Sequence, residues 1–357
     1  MFLKNCWYCA GWDYELSQGN NKFLARRLAD EPVVLYRKPD GGAVAMEDRC
    51  PHRQAALHLG QKEGDSLRCM YHGMKFGPDG RCVEIPGQDH IPDKARVRTF
   101  PVVEKDNWIW VWMGDPARAD PNLICFAVGP ADPDWNIRTS KITVKANYRE
   151  EIANLMDLSH AYWIHRRTLG GTSAWVNEKV ERTMTARGVR NVVWFRGVPA
   201  PAFAQHLFPP DARFDLYIDF EVTLPCNFVI HFQVWTPGTA TTGPSNGRMI
   251  LDSYSSQAVT PVDHDTCEYY YSWGSSKATD APGLSDMLYE AVNDAFREDR
   301  VVLEAQHLNL KERPDGNKVN IVHDAGPEMM LRLLDRFLAD EAAEAAREAN
   351  PLRRAYR

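Results

Sequence analysis

The chain has no long apolar run: it is 357 residues, 44% hydrophobic and 25% charged, and nowhere carries a stretch able to cross a bilayer as a helix. It also lacks positive charge in excess. Its 42 Lys+Arg against 48 Asp+Glu leave a net charge of -6, which argues against nucleic acid or an anionic membrane as the main partner. The opening Met1-Phe2-Leu3-Lys4-Asn5-Cys6-Trp7 lacks the layout of a signal peptide, so the expected address is cytoplasmic. No internal repeat is visible, and no Gly-rich dinucleotide fingerprint, so any reducing equivalents must arrive from another protein. In a reducing compartment the 8 cysteines read as ligands and buried thiols rather than disulfides. Cys6 and Cys9, formally a Cys-x-x-Cys, lie in an aromatic stretch without the strand-to-helix setting of a redox dithiol, and read as packing residues.

What is present is organised around Cys50-Pro51-His52 and Cys69-Met70-Tyr71-His72. Two thiolates and two imidazoles suit either a tetrahedral zinc or a [2Fe-2S] cluster with cysteines on one iron and histidines on the other. Zinc fingers usually pair like residues closely. Here each loop supplies one Cys and one His, which favours iron. With Arg53, Gly73, Lys75-Phe76 and Gly80, these loops resemble the Rieske oxygenase signature. Respiratory high-potential Rieske proteins carry an extra cysteine in each loop; Ala55 and Tyr71 stand there, so the likeness is to the low-potential branch.

The surrounding sequence predicts short strands joined by Gly/Pro/Asp turns. Examples are Pro32 to Arg37, the turn Asp40-Gly41-Gly42, Gly77-Pro78-Asp79-Gly80, and the β-prone Trp108-Ile109-Trp110-Val111-Trp112. The cluster is thereby placed at hairpin tips of a small all-β domain. His58 and His90 read as structural and surface residues. The segment Gly114 to Asn122 suits neither helix nor strand and divides residues 1–117 from a second domain, 118–357.

In that second domain Asn154, Asp157 and His160 recur three apart, along one side of a helix. His165 lies about 140° further round an ideal helix and converges with His160 only if the helix bends or ends between them. Two histidines with a distant carboxylate make the facial triad of a non-haem Fe(II) oxygenase, with open positions for O2. From Glu290 to Leu310 an apolar stripe runs through Val292, Phe296, Leu303 and Leu310 and is completed by Asp299 and Gln306. A carboxylate on a buried stripe needs a compensating cation, which selects Asp299; Asp294, Glu298 and Glu304 project away from the stripe. Asn227 to Trp235 alternates at period two, with Phe228, Ile230, Phe232 and Val234 on one face and His231 and Gln233 on the other. His231 and Gln233 read as sheet-surface groups, and the substrate contacts stay open. Met329 to Leu338 reads as a packing helix followed by a solvated tail.

Over nearly its full length the chain resembles the oxygenase component of Rieske non-haem iron oxygenases, in the branch of vanillate O-demethylase, toluenesulfonate methyl-monooxygenase and dicamba O-demethylase. Besides the ligands, the likeness rests on Glu84-Ile85-Pro86-Gly87-Gln88, Trp110 to Asp115, Asn154-Leu155-Met156-Asp157-Leu158, and Glu298-Asp299 with Glu304-Ala305-Gln306. It implies an α+β chain: an all-β Rieske [2Fe-2S] domain, then a helix-grip (START-like) catalytic domain with a curved antiparallel sheet. It implies Cys50, His52, Cys69 and His72 on the cluster, and His160, His165 and Asp299 on a mononuclear Fe(II) with O2 as cosubstrate. Asn154 and Asp157 belong to the catalytic group, Asp157 bridging His72 of one subunit and His160 of the next in a homotrimer. Ala153 departs from the family, whose members commonly have an acid there. The activity implied is oxidative demethylation or methyl hydroxylation of a small aromatic, fed from NADH by a separate reductase, with or without a ferredoxin. Ring cis-dihydroxylation uses the same two centres and is the enzymatic alternative; a zinc-stabilised binding module is the non-enzymatic one.

Overall fold

The computed structural model describes residues 1–16, 22–170 and 172–348. They divide into two compact units, Met1–Ile124 with Thr260–Asp263, and Cys125–Val259 with the chain from His264 onward.

The first unit is all-β, in three sheets. One joins β1 (Trp7–Trp12), β11 (Trp108–Trp112) and β10 (Val102–Lys105). A second orders β2 (Leu24–Leu28), β3 (Glu31–Arg37), β4 (Ala43–Glu47) and β9 (Thr99–Phe100). The third orders β5 (Gln61–Glu63), β6 (Ser66–Arg68), β7 (Lys75–Phe76) and β8 (Cys82–Glu84). Every residue of β11 is buried, so its continuous Trp/Ile/Val run marks a strand covered on both faces. Cys6 and Cys9 are buried. One ligand loop follows β4 and the other spans the β6–β7 hairpin, both rooted in a core of Val34, Tyr36, Met46, Leu57, Leu67 and Phe76.

The second unit is α+β. Its sheet follows the order β12 (Trp135–Val144), β18 (Cys267–Ser276), β17 (Met249–Pro261), β16 (Asn227–Trp235), β15 (Phe214–Thr223), β14 (Gly188–Val198), β13 (Glu181–Met184). The helices are α1 (Tyr148–Met156), α2 (His160–Ile164), α3 (Ala174–Asn177), α4 (Thr239–Thr242), α5 (Leu284–Glu312) and α6 (Ala325–Glu348). Antiparallel register sets Ile218 opposite Phe232, Phe220 opposite Ile230 and Val222 opposite Phe228. These period-two positions give the sheet an apolar inner face. On β18 the same alternation turns Tyr269, Tyr271 and Trp273 inward, and all three have ring contacts with Phe296 of α5. The sheet thus grips α5 through aromatic packing. No helix among the described residues is long and apolar enough to cross a membrane.

The expected single helix over Asn154–His160 is two helices. α1 ends with Asp157 as its extended C-cap, and α2 starts only at His160. The carboxylate of Asp157 accepts from Ser159 N (2.8 Å) and Ser159 Oγ (3.0 Å), which stabilises the turn instead of another helical step. Asn154 and Asp157 therefore do not share a helix face with His160. His165 is the C-cap of α2, so the helix does end between the two histidines. The buried stripe of α5 keeps Val292, Phe296, Asp299 and Leu303 but continues through His307, leaving Gln306 exposed. His307 is stabilised there by Glu150 (3.1 Å) and Asp265 (3.2 Å), which makes an imidazole tolerable on the inner face. The packing helix expected at Met329–Leu338 lies within α6; the last residues of the expected tail, 349–357, fall outside the described residues.

Candidate metal centres and the adjoining chamber

The two ligand loops are built alike. Cys50 N donates to Ala55 O (2.8 Å) and Gln54 N to Cys50 O (2.9 Å); Cys69 N donates to Met74 O (2.8 Å) and Gly73 N to Cys69 O (3.0 Å). Each closure needs a left-handed residue at the same place, Gln54 at φ +59° and Gly73 at φ +77°. At Gly73 a Cβ would also lie 2.7 Å from Pro86 Cγ, so glycine is required twice over. Cys50 and Cys69 are buried while His52 and His72 are exposed, their rings 4.5 Å apart at 69°. Burial, with the Cys69 thiol beside it, pushes the Cys50 thiol up to about 11. The buried Cys50 sulfur is therefore a poor thiolate until a cation compensates it, as iron or zinc does. Arg68 braces the second loop, donating to Gly73 O (2.7 Å), Glu63 (2.6 Å) and Glu84 (2.8 Å). His58, half-buried, pairs with Asp48, and His90 is exposed.

In the second unit His160, His165 and Asp299 come together, with one ligand atom of each lying within 4.8 Å of the others. His165 Nε2 is 3.2 Å from Asp299 Oδ2, and His160 Nε2 is 3.6 Å from Asp299 Oδ1. Asn154 Nδ2 donates to Asp299 Oδ1 (3.2 Å). Glu298, expected to project away, instead accepts from His165 Nδ1 (2.9 Å) and from Thr168 Oγ1 (2.8 Å). Its side chain leaves α5 beside the buried stripe, and its length lets the carboxylate turn back to the histidine. This bond places a proton of His165 on Nδ1 and makes Nε2, which faces Asp299, the nitrogen that would ligate a metal. Burial works against a charged His165, but Asp299 and Glu298 outweigh it and hold this histidine above its ordinary value. Burial lowers His160, with the neighbouring His165 acting in the same direction. Nδ1 of His160 and Oδ1 of Asn154 are buried without a partner among the described residues. Two imidazoles, one buried carboxylate and unspent polar atoms suit a divalent iron of the facial-triad type.

Beside this group lies a chamber of about 100 Å³. Its walls are mostly apolar and aromatic: Leu155 and Leu158 near the helices, Trp175 and Phe203 from the following segments, Ile218, Phe228, Ile230 and Phe232 from the sheet, Leu288 and Phe296 from α5. His231 and Gln233 point to the other face, where His231 bonds Asp252 (2.6 Å) and stacks on Tyr254 with rings 4.3 Å apart. Two polar residues of the lining, Gln257 and Trp273, were not singled out in the sequence. Their pattern signal is the period-two alternation of β17 and β18. A further buried acid, Glu151 on α1, is 2% exposed; burial first, then the charge of Asp299, pushes it up to about 8. In sequence it reads only as an acid in a helix's first turn.

Paired Cys/His loops on a small all-β unit, and a buried His-His-Asp group beside a helix gripped by an antiparallel sheet, define the Rieske non-haem iron class of oxygenases. Residues 6–101 match the Rieske [2Fe-2S] domain family, and residues 144–340 match the vanillate O-demethylase oxygenase C-terminal domain. The toluene-4-sulfonate monooxygenase system iron-sulfur subunit of Comamonas testosteroni is 36% identical over 96% of this chain and 98% of its own length. A vanillate O-demethylase oxygenase subunit of a Pseudomonas species is 31% identical over 97% and 98%. The crystal structure of dicamba monooxygenase bound to 3,6-dichlorosalicylic acid superposes with a TM-score of 0.86 at 30% identity, covering 96% of this chain and 99% of that one. The chain belongs to the Rieske non-haem iron oxygenases, as an oxygenase component of the monooxygenase and demethylase type carrying a [2Fe-2S] cluster and a mononuclear iron.

Proposed function

We propose that the chain removes a methyl group from, or hydroxylates a methyl group on, a small aromatic compound at the His160, His165 and Asp299 centre. The observation that carries the reading is the position of that centre, buried and adjoining an apolar chamber. For an aryl methyl ether the balanced reaction is ArOCH3 + O2 + NADH + H+ → ArOH + HCHO + H2O + NAD+. A separate reductase, with or without a ferredoxin, oxidises NADH and passes its two electrons singly.

Cys50 and Cys69 would hold the inner iron of the cluster, and His52 and His72 the outer one, which matches the burial of the sulfurs and the exposure of the rings. The mononuclear iron, when bound, supplies reductive activation of O2. The chain's own residues do the positioning. Glu298 and Thr168 fix the tautomer and orientation of His165. Asn154 holds the Asp299 carboxylate through its amide N–H. The walls of Phe228, Ile230, Phe232 and Phe296 exclude water and orient an aromatic ring.

We place the electron exit at exposed His72 and assign Asp157 as the link to His160 of the next subunit in a cytoplasmic homotrimer. Asp157 interrupts the two helices beside the metal group, held by Ser159, which supports a positional role. Cys82, Cys226 and Cys267, buried as free thiols, accord with a reducing compartment. Asp157→Ala should keep the visible Rieske spectrum and abolish coupled turnover; full coupled activity refutes the link. Feeding methoxylated, N-methylated and methylated aromatics with a surrogate reductase should release formaldehyde or a benzylic alcohol. A cis-dihydrodiol in their place refutes the demethylase reading.

A further inference from the structure

The chamber's polar inventory is small. Away from the metal group it is lined by two polar side chains, Gln257 and Trp273, and no Lys or Arg is among its described lining residues. The amide of Gln257 is used at both ends: Oε1 accepts from Tyr269 OH, and Nε2 donates to Ser255 Oγ (2.8 Å). The indole N–H of Trp273 differs. Trp273 is 7% exposed, its ring lies on the inner face of β18, and its Nε1 is buried without a partner. A buried donor left unpaired is costly, so it marks a place where a ligand acceptor is expected.

Three arginines of this unit are engaged elsewhere. Arg138, opposite Trp273 on β12, pairs with Asp286; Arg166 lies over the rings of Tyr162 and Trp163; Arg190 pairs with Asp219. A carboxylate or sulfonate entering the chamber would lose its hydration with no Lys or Arg among the described lining residues to replace it. The iron's own positive charge does not solve this. A para-substituted substrate that turns its anion to the metal turns its methyl group away from it.

We propose that the chamber is built for a neutral single-ring aromatic, with its methyl, methoxy or N-methyl group toward the metal group and one acceptor, such as a carbonyl, received by Trp273 Nε1–H. This rests on the proposed demethylase or methyl-hydroxylase reading. It separates the chain from relatives named for, or solved with, organic acids: toluene-4-sulfonate, vanillate and 3,6-dichlorosalicylic acid.

The test is anaerobic calorimetric titration of the iron-loaded enzyme with 4-methoxyacetophenone, 4-methoxybenzoate and 4-methylanisole. The acetophenone should bind at least ~30-fold more tightly than the benzoate, because only the latter buries an unpaired charge. Trp273→Phe should weaken the acetophenone by ~10-fold and leave 4-methylanisole within about twofold, since only the first uses the N–H. Ile230→Arg, which adds a cation to the wall, should raise benzoate affinity at least ~10-fold and serves if Trp273→Phe does not fold. Benzoate binding as tight as the acetophenone, no binding of either neutral ligand, equal losses for both in Trp273→Phe, or no gain in Ile230→Arg overturns the proposal. Formaldehyde release in air is scored separately. Neutral ligands that bind selectively but are not demethylated refute the O-demethylation reading and leave the charge selection standing.

Discussion

Glu298→Ala should weaken Fe(II) binding at the mononuclear site by roughly tenfold to a hundredfold, without disturbing the Rieske cluster. The carboxylate accepts from His165 Nδ1 at 2.9 Å, and His165 is 2% exposed, so water cannot readily take its place. A hydrogen bond to a charged group contributes about 1.5–3 kcal/mol, and each ~1.4 kcal/mol is tenfold in affinity. That agrees with the typical ~10–100-fold cost of losing an outer partner of a metal-binding histidine. Glu298→Gln keeps an oxygen acceptor and should fall between the variant and the parent. Thr168→Val removes only the 2.8 Å support of the same carboxylate oxygen and should cost less than Glu298→Ala. The assay is anaerobic Fe(II) titration against a chromophoric chelator, with the visible Rieske bands as the measure of intact protein. An iron Kd for Glu298→Ala within about twofold of the parent refutes the positioning role.

Glu151 gives a pH dependence. Its carboxyl is raised to about 8 in the native chain against an ordinary 4.5, so between those values the native state holds a proton that the unfolded state has released. Stability therefore falls as pH rises through this window, by up to ~1.4 kcal/mol per unit, and is unaffected by this group below pH 4.5. Glu151→Gln should gain thermal stability over the parent steadily from pH 5 to pH 8; a gain independent of pH refutes a buried neutral acid. In the ligand loops Gly73→Ala should lower cluster content and Tm, because it adds left-handed strain of about 1–2 kcal/mol to a close approach at Pro86. Gln54→Gly at the matching position should be neutral or stabilising, and equal damage from both refutes the equivalence of the loops. His231→Ala should leave KM within about twofold, since the ring serves the opposite sheet face; a large rise in KM would place substrate there.

The parts of the site that follow from local spacing were legible in the sequence. The two Cys/His pairs are contained in short loops, and Asp299 stands out because a carboxylate on a buried apolar stripe needs a reason. The alternation of β16 separated Phe228, Ile230 and Phe232 from His231 and Gln233 because side-chain direction in a strand depends only on parity. What stayed hidden depends on reach and register. Glu298 is beside the stripe by helical angle, yet its length brings the carboxylate back to His165. The interruption at Asp157 is decided by competition between a helical step and two bonds to Ser159, which periodicity does not weigh. The exchange of Gln306 for His307 on the inner face follows from Glu150 and Asp265, remote acids that stabilise the imidazole there. Gln257 and Trp273 needed the pairing of β16, β17 and β18 before they could be assigned to one wall.

The matching closures of the two ligand loops bear on how the protein matures. Each loop is tied by its own main chain at Cys50 and at Cys69, through bonds that use no metal. The mouth that receives the cluster is thus shaped before its cargo arrives, and most of the entropy of ordering it is lost when the small β unit folds. Removal of the cluster should leave the four main-chain closures at Cys50, Gln54, Cys69 and Gly73 intact, with the exposed His52 and His72 rings the ligands that move.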